Sequence, residues 1–229
     1  MKTTSSTTIK SNNTKNTKAT NPRGKAATNA SRSAATNGTK KAASAKTGSE
    51  QESPSLLDKL FVSLLKETYW AEKHLVKALQ TMQSQATTES LQDAFEDHMY
   101  VTQKHVSRLE KAFGMMEQEP EEKKCIAMEA LTTEAEQIVA ETEDGTMTRD
   151  AALIIAAQKV EHYEIATYGS LVQLARTLGY DNVAGILEKT LWEEEETDLL
   201  LTDIAESEVN PLADDEPQEM TAELEMAEL

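Results

Sequence analysis

Five carboxylates and one histidine interrupt the apolar stripes of four predicted helices. On the first helix Glu72 falls four residues after Thr68 and three before Leu75, so it shares their inward face. His98 holds the equivalent position on the second helix. The full set of inward-facing polar residues is Glu72, His98, Glu161, Glu164, Glu194 and Asp198.

A set of this kind predicts a metal centre. Buried like charges raise one another's pKa and are too costly to leave unpaired. Two divalent cations would bring four positive charges against the five carboxylates. Oxygen-rich ligation with one imidazole suits iron or manganese better than structural zinc, which prefers thiolate and histidine. We therefore expect a dinuclear site that holds two iron or manganese ions, with carboxylates able to bridge them.

The heights of these residues can be compared, because residues equidistant from a hairpin turn lie at the same level. With Gln85 as the centre of the first turn, Glu72 and His98 are each thirteen residues away and are expected to face each other. The second turn is centred near Tyr180. Its matched pairs are Glu164 with Glu194 and Glu161 with Asp198, level within about 3 Å at roughly 1.5 Å per residue.

Four long segments carry apolar residues at three- and four-residue spacing, which predicts four long helices. They are Pro54–Met82, Thr88–Phe113, Thr148–Leu178 and Asn182–Ala205, with a weaker amphipathic helix over Glu121–Glu141. Two helical hairpins joined by a long connection are typical of a bundle with one crossover. The predicted fold class is all-α: a four-helix bundle with one long crossover containing a short extra helix.

Charge divides the chain into three parts. Residues 1–50 hold ten Lys or Arg and one acid, with almost no large apolar residue, which predicts a disordered basic tail. Residues 207–229 hold eight acids and no base, and we expect them to be acidic and mostly disordered. The bundle itself is assigned to 54–206. Because the whole chain carries −17, residues 51–229 carry about −26.

The composition also excludes some classes of protein. No apolar run approaches the roughly 18 to 20 residues of a membrane span. The single cysteine, Cys125, rules out an internal disulfide framework or a thiolate zinc cluster. The start of the chain lacks the apolar core of a secretory signal. We therefore expect a soluble cytoplasmic protein without a membrane partner.

Four stretches together resemble the ferritin-like superfamily, and more closely the YciE/YciF-like stress-protein family. They are ETYWAEKHL (Glu67–Leu75), AFEDHMYVTQKHVSRLE (Ala94–Glu110), KVEHYEIATYGSLVQLARTLG (Lys159–Gly179) and LEKTLWEEEETD (Leu187–Asp198). The resemblance implies a ferritin-like bundle, a homodimer, a di-iron or di-manganese site, and a role in stress response.

His98 and His105, both on the second predicted helix, depart from the usual motif of di-iron bundles. Di-iron bundles ordinarily carry Glu-x-x-His on two helices, whereas Phe95 precedes His98 and Thr102 precedes His105 at that spacing. His105 lies about 10.5 Å along the helix from His98, at roughly 1.5 Å per residue, so we expect one centre not to use both.

Other polar residues near these positions have ordinary structural interpretations. Within the acidic run only Glu194 has the inward phase, so Glu193, Glu195 and Glu196 are expected to form a solvated face. Tyr69, Tyr163 and Tyr168 could be redox-active neighbours of a metal pair, but tyrosine is ordinary near bundle cores.

Two classes of function follow from these features. The first is a stress-response protein whose metal pair takes part in redox, peroxide or iron handling, either as a ferroxidase-like or catalase-like oxidoreductase or, if the chain assembles into a closed shell, as an iron store. The alternative is a non-catalytic dimeric bundle that acts as an interaction or DNA-protecting protein. Its basic tail over 1–50 would bind DNA weakly and without sequence preference, since it lacks aromatic residues for base stacking.

Overall fold

The computed structural model describes residues 53–217, which form an all-helical fold. Its helices are α1 (Leu56–Gln85), α2 (Glu89–Met115), α3 (Ile126–Glu141), α4 (Met147–Leu178), α5 (Asp181–Ile204) and α6 (Asn210–Asp214), with a π-helical turn over Ala205–Val209. No strand occurs within this range. The predicted all-α fold class is confirmed.

Two antiparallel hairpins build the bundle. α1 packs along α2, and α4 packs along α5, while α2 meets α5 and α1 meets α4 across the interface between the hairpins. The connection from α2 to α4 contains α3, which lies against α1 and α4. This is the predicted ferritin-like arrangement of four long helices with one crossover that carries a short helix.

The apolar core is divided into two clusters along the bundle axis. The first includes Leu75, Phe95 and Leu153, and the second includes Phe61 and Leu187. On each long helix the sequence passes from one cluster to the other. The inward carboxylates and histidines occupy the positions in between, so the bundle holds a polar layer enclosed by apolar packing on both sides.

Capping residues set where the helices begin and end. Ser55 accepts a hydrogen bond from the Asp58 amide at 3.0 Å and starts α1. Gly179, with φ +80°, ends α4 in the left-handed conformation, and the Tyr180 amide donates back to the Ala175 carbonyl at 2.8 Å. The stop at Gly179 fixes the turn of the second hairpin and therefore which residues of α4 and α5 meet.

A carboxylate from α4 closes the first hairpin. The side chain of Asp150 is fully buried and accepts hydrogen bonds from the amides of Thr87 and Thr88 at 2.7 and 2.8 Å. It also accepts from the Thr88 hydroxyl at 2.8 Å. Thr88 is the N-cap residue of α2, but its side chain accepts no hydrogen bond from an amide of the helix. Asp150 therefore fixes the turn between α1 and α2 from another hairpin.

The C-terminal segment differs from its prediction. Residues 207–229 were expected to be mostly disordered, but helical structure continues through Asp214 and Val209 is fully buried. Glu216 accepts from the Met147 and Thr148 amides at the start of α4, where a carboxylate also meets the positive end of the helix. The folded unit therefore extends past 206, because this segment both fills the core and caps a helix.

The remaining parts of the chain lie outside the described residues. The basic tail predicted over 1–50 and the end of the acidic segment, 218–229, both fall there and stay predictions. Between 53 and 217, no helix has the length and apolar character that crossing a bilayer would require.

Candidate metal centre

Four buried side chains converge from three helices in the polar layer. They are His98 of α2, Glu161 and Glu164 of α4, and Glu194 of α5, and each offers a ligand atom within 4.8 Å of the others. His98 Nε2 lies 3.3 Å from Glu161 Oε1 and 4.0 Å from Glu194 Oε2. We call these four residues the His98 group.

A second group adjoins the first. Glu72 of α1 and His105 of α2 gather with Glu194, again with all three ligand atoms within 4.8 Å. His105 Nδ1 lies 2.9 Å from Glu194 Oε1 and 3.6 Å from Glu72 Oε1. We call these three residues the His105 group. Glu194 belongs to both groups and offers a different oxygen to each histidine.

The donor set is suited to metal ligation. Within 53–217, eight buried side-chain nitrogen and oxygen atoms have no hydrogen-bond partner, and all eight belong to the six residues of these two groups. The 2.9 Å contact between His105 and Glu194 lacks hydrogen-bond alignment. Two ligands that are each about 2.1 Å from one cation lie about 3 Å apart at right angles. The unpartnered atoms are therefore arranged as ligands rather than as a hydrogen-bond network.

Without metal, protons have to balance the charges of this layer. Burial alone lowers the pKa of His98, but the Glu161 and Glu194 carboxylates outweigh it and raise the pKa to about 9. Burial likewise opposes the charge on His105, and its contacts with Glu194 and Glu72 raise its pKa to about 11. The metal-free protein therefore holds both imidazoles protonated at neutral pH.

Two of the carboxylates also hold their protons more tightly than usual. Burial raises the pKa of Glu194 to about 7 despite its contact with His105. Burial and the nearby carboxylates of Glu72, Glu194 and Glu161 raise the pKa of Glu164 well above its ordinary value. Cations in the layer would remove this mutual repulsion. The electrostatics and the unpartnered ligand atoms therefore both favour a bound cation.

The three tyrosines considered from the sequence lie in different places. Tyr168 is fully buried and donates a hydrogen bond to Glu72, and burial raises the pKa of its phenol well above the usual value. Tyr163 contacts the Cys125 sulfur at 3.0 Å. Tyr69 donates to Glu110 at 3.0 Å, away from the two groups. Of the three, Tyr168 is the one bonded to a candidate ligand.

A groove of about 330 Å³ between α2 and α5 reaches the polar layer from the surface. His98 and Thr197 lie along it, together with Val101 and the acidic residues Asp97 and Glu196. His98 is 4% exposed, whereas the other five residues of the two groups are 0 to 1% exposed. The groove therefore meets the centre at the one ligand candidate that approaches the surface.

Five of the six predicted ligands come together, and Asp198 does not. Its carboxylate accepts from Gln158 at 3.2 Å and lies 3.3 Å from His162 Nε2, on the outer side of α4. A step of four residues turns a side chain about 40° past its starting direction. This rotation, together with an axial rise of about 6 Å over four residues, places the Asp198 side chain beside Gln158 and His162 instead of in the polar layer, although its height was predicted to match Glu161.

The predicted pairing of Glu72 with His98 also needs correction. α1 ends at Gln85 and α2 begins at Glu89, so the turn is centred near Thr87 rather than Gln85. The residue level with Glu72 is then Thr102, which lies between the two histidines. Glu72 leans toward His105 instead of His98.

His105 joins the centre, although His98 and His105 were not expected to share one. It is fully buried and belongs to the second group, so the distance along the helix did not separate it from the centre. Its signal was its phase: it follows Thr102 by three residues and precedes Leu109 by four, both of which face the core. Glu193 was expected to be solvated, yet one of its oxygens lies 2.8 Å from His105 Nε2.

Comparison with known proteins identifies similar chains. The family described as "Domain of unknown function (DUF892)" matches residues 56–213. Protein YciF of Escherichia coli (strain K12) is 44% identical over 162 residues, which are 69% of this chain and 95% of that protein. The crystal structure of the E. coli stress protein YciF aligns with a TM-score of 0.65 at 43% identity, covering 67% of this chain and 97% of that chain.

Two further solved structures are similar. YcfI of Rhodopseudomonas palustris, described as a candidate structural protein, has a TM-score of 0.63 and 35% identity, covering 66% of this chain and 96% of its own. A protein of Xanthomonas campestris has a TM-score of 0.53 at 22% identity, covering 75% of this chain and 98% of its own, and shares the fold.

Proposed function

The chain belongs to the DUF892 family, and from that premise we propose that it is a stress-response protein that binds two iron or manganese ions and uses them in redox, peroxide or iron handling. The observation that carries the proposal is the set of eight buried, unpartnered donor atoms on six residues. A structural polar layer would satisfy these atoms with one another, whereas here they converge without hydrogen bonds.

Each group would hold one ion. The His98 group offers one imidazole and three carboxylates, and the His105 group offers one imidazole and two carboxylates. Glu194 would bridge, because its two oxygens face different histidines. A bound pair of iron or manganese ions would supply Lewis acidity and one-electron chemistry toward oxygen or peroxide.

The chain's own residues would control access and protons at this centre. The apolar clusters on both sides exclude water from the polar layer. Tyr168 donates to Glu72 and so holds a proton at the edge of the His105 group. The acidic groove at His98 gives cations and small oxidants a path from the surface. A homodimeric assembly and a cytoplasmic location remain predictions.

Elemental mass spectrometry tests the proposal. The full chain is expressed with iron and manganese both available and purified without chelators, beside a Glu161→Ala/Glu194→Ala variant. We expect about two ions per chain in the wild type and none in the variant, while a control variant at the exposed Glu195, Glu195→Ala, keeps both. A folded wild type with well under one ion per chain would overturn metal binding. If metal is bound, oxygen and peroxide consumption by the loaded protein tests the redox role.

An interaction protein is the second candidate function. The R. palustris relative described as a candidate structural protein favours it, as does the concentration of ten basic residues in 1–50. In that case the metal-free chain would bind DNA or a partner, and adding metal would not change the affinity. Retention of DNA by full-length and shortened chains distinguishes the two functions.

A further inference from the structure

Glu193 contacts the centre from outside, although it belongs to neither metal group. Its Oε2 lies 2.8 Å from His105 Nε2, the ring nitrogen that points away from the His105 group. The same carboxylate takes two hydrogen bonds from Arg108, with the second Arg108 nitrogen at 2.7 Å from Oε1. The imidazole is fully buried, whereas the Glu193 side chain is 32% exposed.

The hydrogen-bond roles in this chain of contacts are fixed by chemistry. A guanidinium only donates, so both oxygens of Glu193 accept from Arg108. The two-point contact with the Arg108 guanidinium keeps Glu193 an ionised acceptor. His105 Nε2 must therefore carry the hydrogen of this contact. Nδ1 is left facing Glu194 and Glu72, without a hydrogen-bond partner.

We propose that Glu193, held by Arg108, is a positioning residue that fixes the ring orientation and the tautomer of His105, so that Nδ1 becomes the metal-ligating nitrogen. The inference rests on the proposed function, since it concerns how one ligand of that centre is prepared. A carboxylate that accepts the second ring hydrogen of a ligating histidine orients the ring and raises its basicity.

His98 is positioned by a different kind of partner. Its Nδ1 lies 3.2 Å from the Thr197 hydroxyl, which donates its own hydrogen to the Glu193 carbonyl at 3.0 Å. Thr197 therefore accepts from Nδ1, and Nε2 is left facing Glu161. The two imidazoles present opposite ring nitrogens to the polar layer, one supported by a neutral hydroxyl and the other by an ionised carboxylate. Loss of the Glu193 carboxylate should therefore affect only the ion at His105.

The test is a manganese titration of the metal-free full chain. We compare the wild type with Glu193→Ala, Glu193→Gln and the control Glu195→Ala, whose side chain is exposed on the same helix. Outer-shell partners of this kind typically change metal affinity about 10–100-fold. We expect a loss of that size at one of two sites in Glu193→Ala, a smaller loss in Glu193→Gln, and none in Glu195→Ala. Circular dichroism verifies that each variant is folded.

A second readout does not need metal. Nitrogen-15 NMR of the metal-free chain, with histidine labelled, reports the hydrogen-bonded Nε2–H of His105, which should change in Glu193→Ala while His98 keeps its signals. Two wild-type sites that persist unchanged in Glu193→Ala, with an unchanged His105 spectrum, would overturn this inference alone. A wild type that binds no manganese would overturn the proposed function and this inference with it, because the ring would then have no ion to ligate.

Discussion

His98 and His105 lie about two helical turns apart on α2, and both rings reach the same carboxylate, that of Glu194. The 4.0 Å and 2.9 Å contacts involve different oxygens of that carboxylate. One side chain of α5 therefore contacts both histidines, although they are two turns apart. In the proposed function this relationship joins the two groups in one dinuclear centre.

Replacing Glu194 should have a larger effect than replacing any unshared ligand. We expect Glu194→Gln to reduce the metal content from about two ions per chain to well under one, because both groups lose a carboxylate. Glu161→Gln removes a ligand from the His98 group only and should leave about one ion. Elemental analysis after equilibration with excess manganese and desalting measures both. Equal losses in the two variants would contradict a bridging role for Glu194.

The metal-free protein should lose stability as the pH rises from about 5 to 9. The pKa of Glu194 rises from 4.5 to about 7 on folding, and that of His98 rises from 6.5 to about 9. The folded state then binds more protons than the unfolded state in both windows, so the free energy of unfolding falls with pH. Thermal unfolding followed by circular dichroism measures this loss. Each kcal/mol of lost stability should lower the melting temperature by roughly 2–4 °C in a chain of this size.

A variant provides the control for that pH dependence. Glu194→Gln removes one of the titrating groups, so its melting temperature should fall less steeply than the wild type between pH 5 and 7. Saturating manganese should displace the protons and reverse the trend, since metal affinity increases as its ligands lose protons. A wild-type melting temperature that increases with pH without metal would contradict the electrostatics described for this layer.

Removing the Tyr168 hydroxyl should destabilise the metal-free protein. Tyr168→Phe leaves the buried Glu72 without the hydrogen bond that it accepts from the phenol. Leaving a buried acceptor unsatisfied costs about 1–3 kcal/mol. Urea unfolding measures the loss, and Tyr100→Phe is the matched control, because Tyr100 is half exposed and donates to Glu96 at 3.2 Å. Similar small losses in both variants would show that Glu72 does not depend on Tyr168.

Filling the groove at His98 should slow metal uptake without changing the final metal content. Val101→Trp places a large side chain in the groove between α2 and α5, while the ligands stay intact. We expect manganese loading to become several-fold slower and to end at the wild-type stoichiometry. Val62→Trp, in a separate groove at the start of α1, should load at the wild-type rate. Equal rates for all three proteins would mean that cations enter by another path.

Deleting residues 1–50 should abolish any retention of DNA. The ten basic residues of this segment can neutralise phosphates. The logarithm of the binding constant should therefore fall linearly with the logarithm of the salt concentration, with a slope of about −0.9 for each phosphate neutralised. Gel-shift measurements with duplex DNA at several salt concentrations compare the full and shortened chains. The shortened chain should keep its metal content, which separates this activity from the centre. DNA binding by the shortened chain would assign the activity to the bundle instead.

Periodicity was sufficient to predict the bundle and to place most residues of the two groups on inward faces. The inward phase of Glu72, Glu161, Glu164 and Glu194 depends only on which face of a helix is apolar, and that pattern is written along each helix. The residue level with Glu72 depended on the centre of the first turn. An error of two residues there moves the facing position by four, which is one helical turn.

Contacts between helices were beyond the reach of single-helix patterns. Asp198 was predicted to match Glu161 in height, but its contact with Gln158 depends on how α4 and α5 pack together. Glu193 and Arg108 lie on different helices, and no spacing rule connects them to His105. Val209 and Glu216 sit in a segment whose acidic composition favours disorder, and their role depends on the core and the helix start that they meet.

The Asp150 carboxylate couples completion of the first hairpin's turn to the docking of α4. The amides that it binds lie 62 and 63 residues earlier in the chain, in the turn between α1 and α2. An isolated first hairpin lacks this acceptor, and its turn remains dependent on water until α4 docks. Completion of the turn and association of the two hairpins should therefore occur in a single cooperative step, with the first hairpin only partly protected from hydrogen exchange before it.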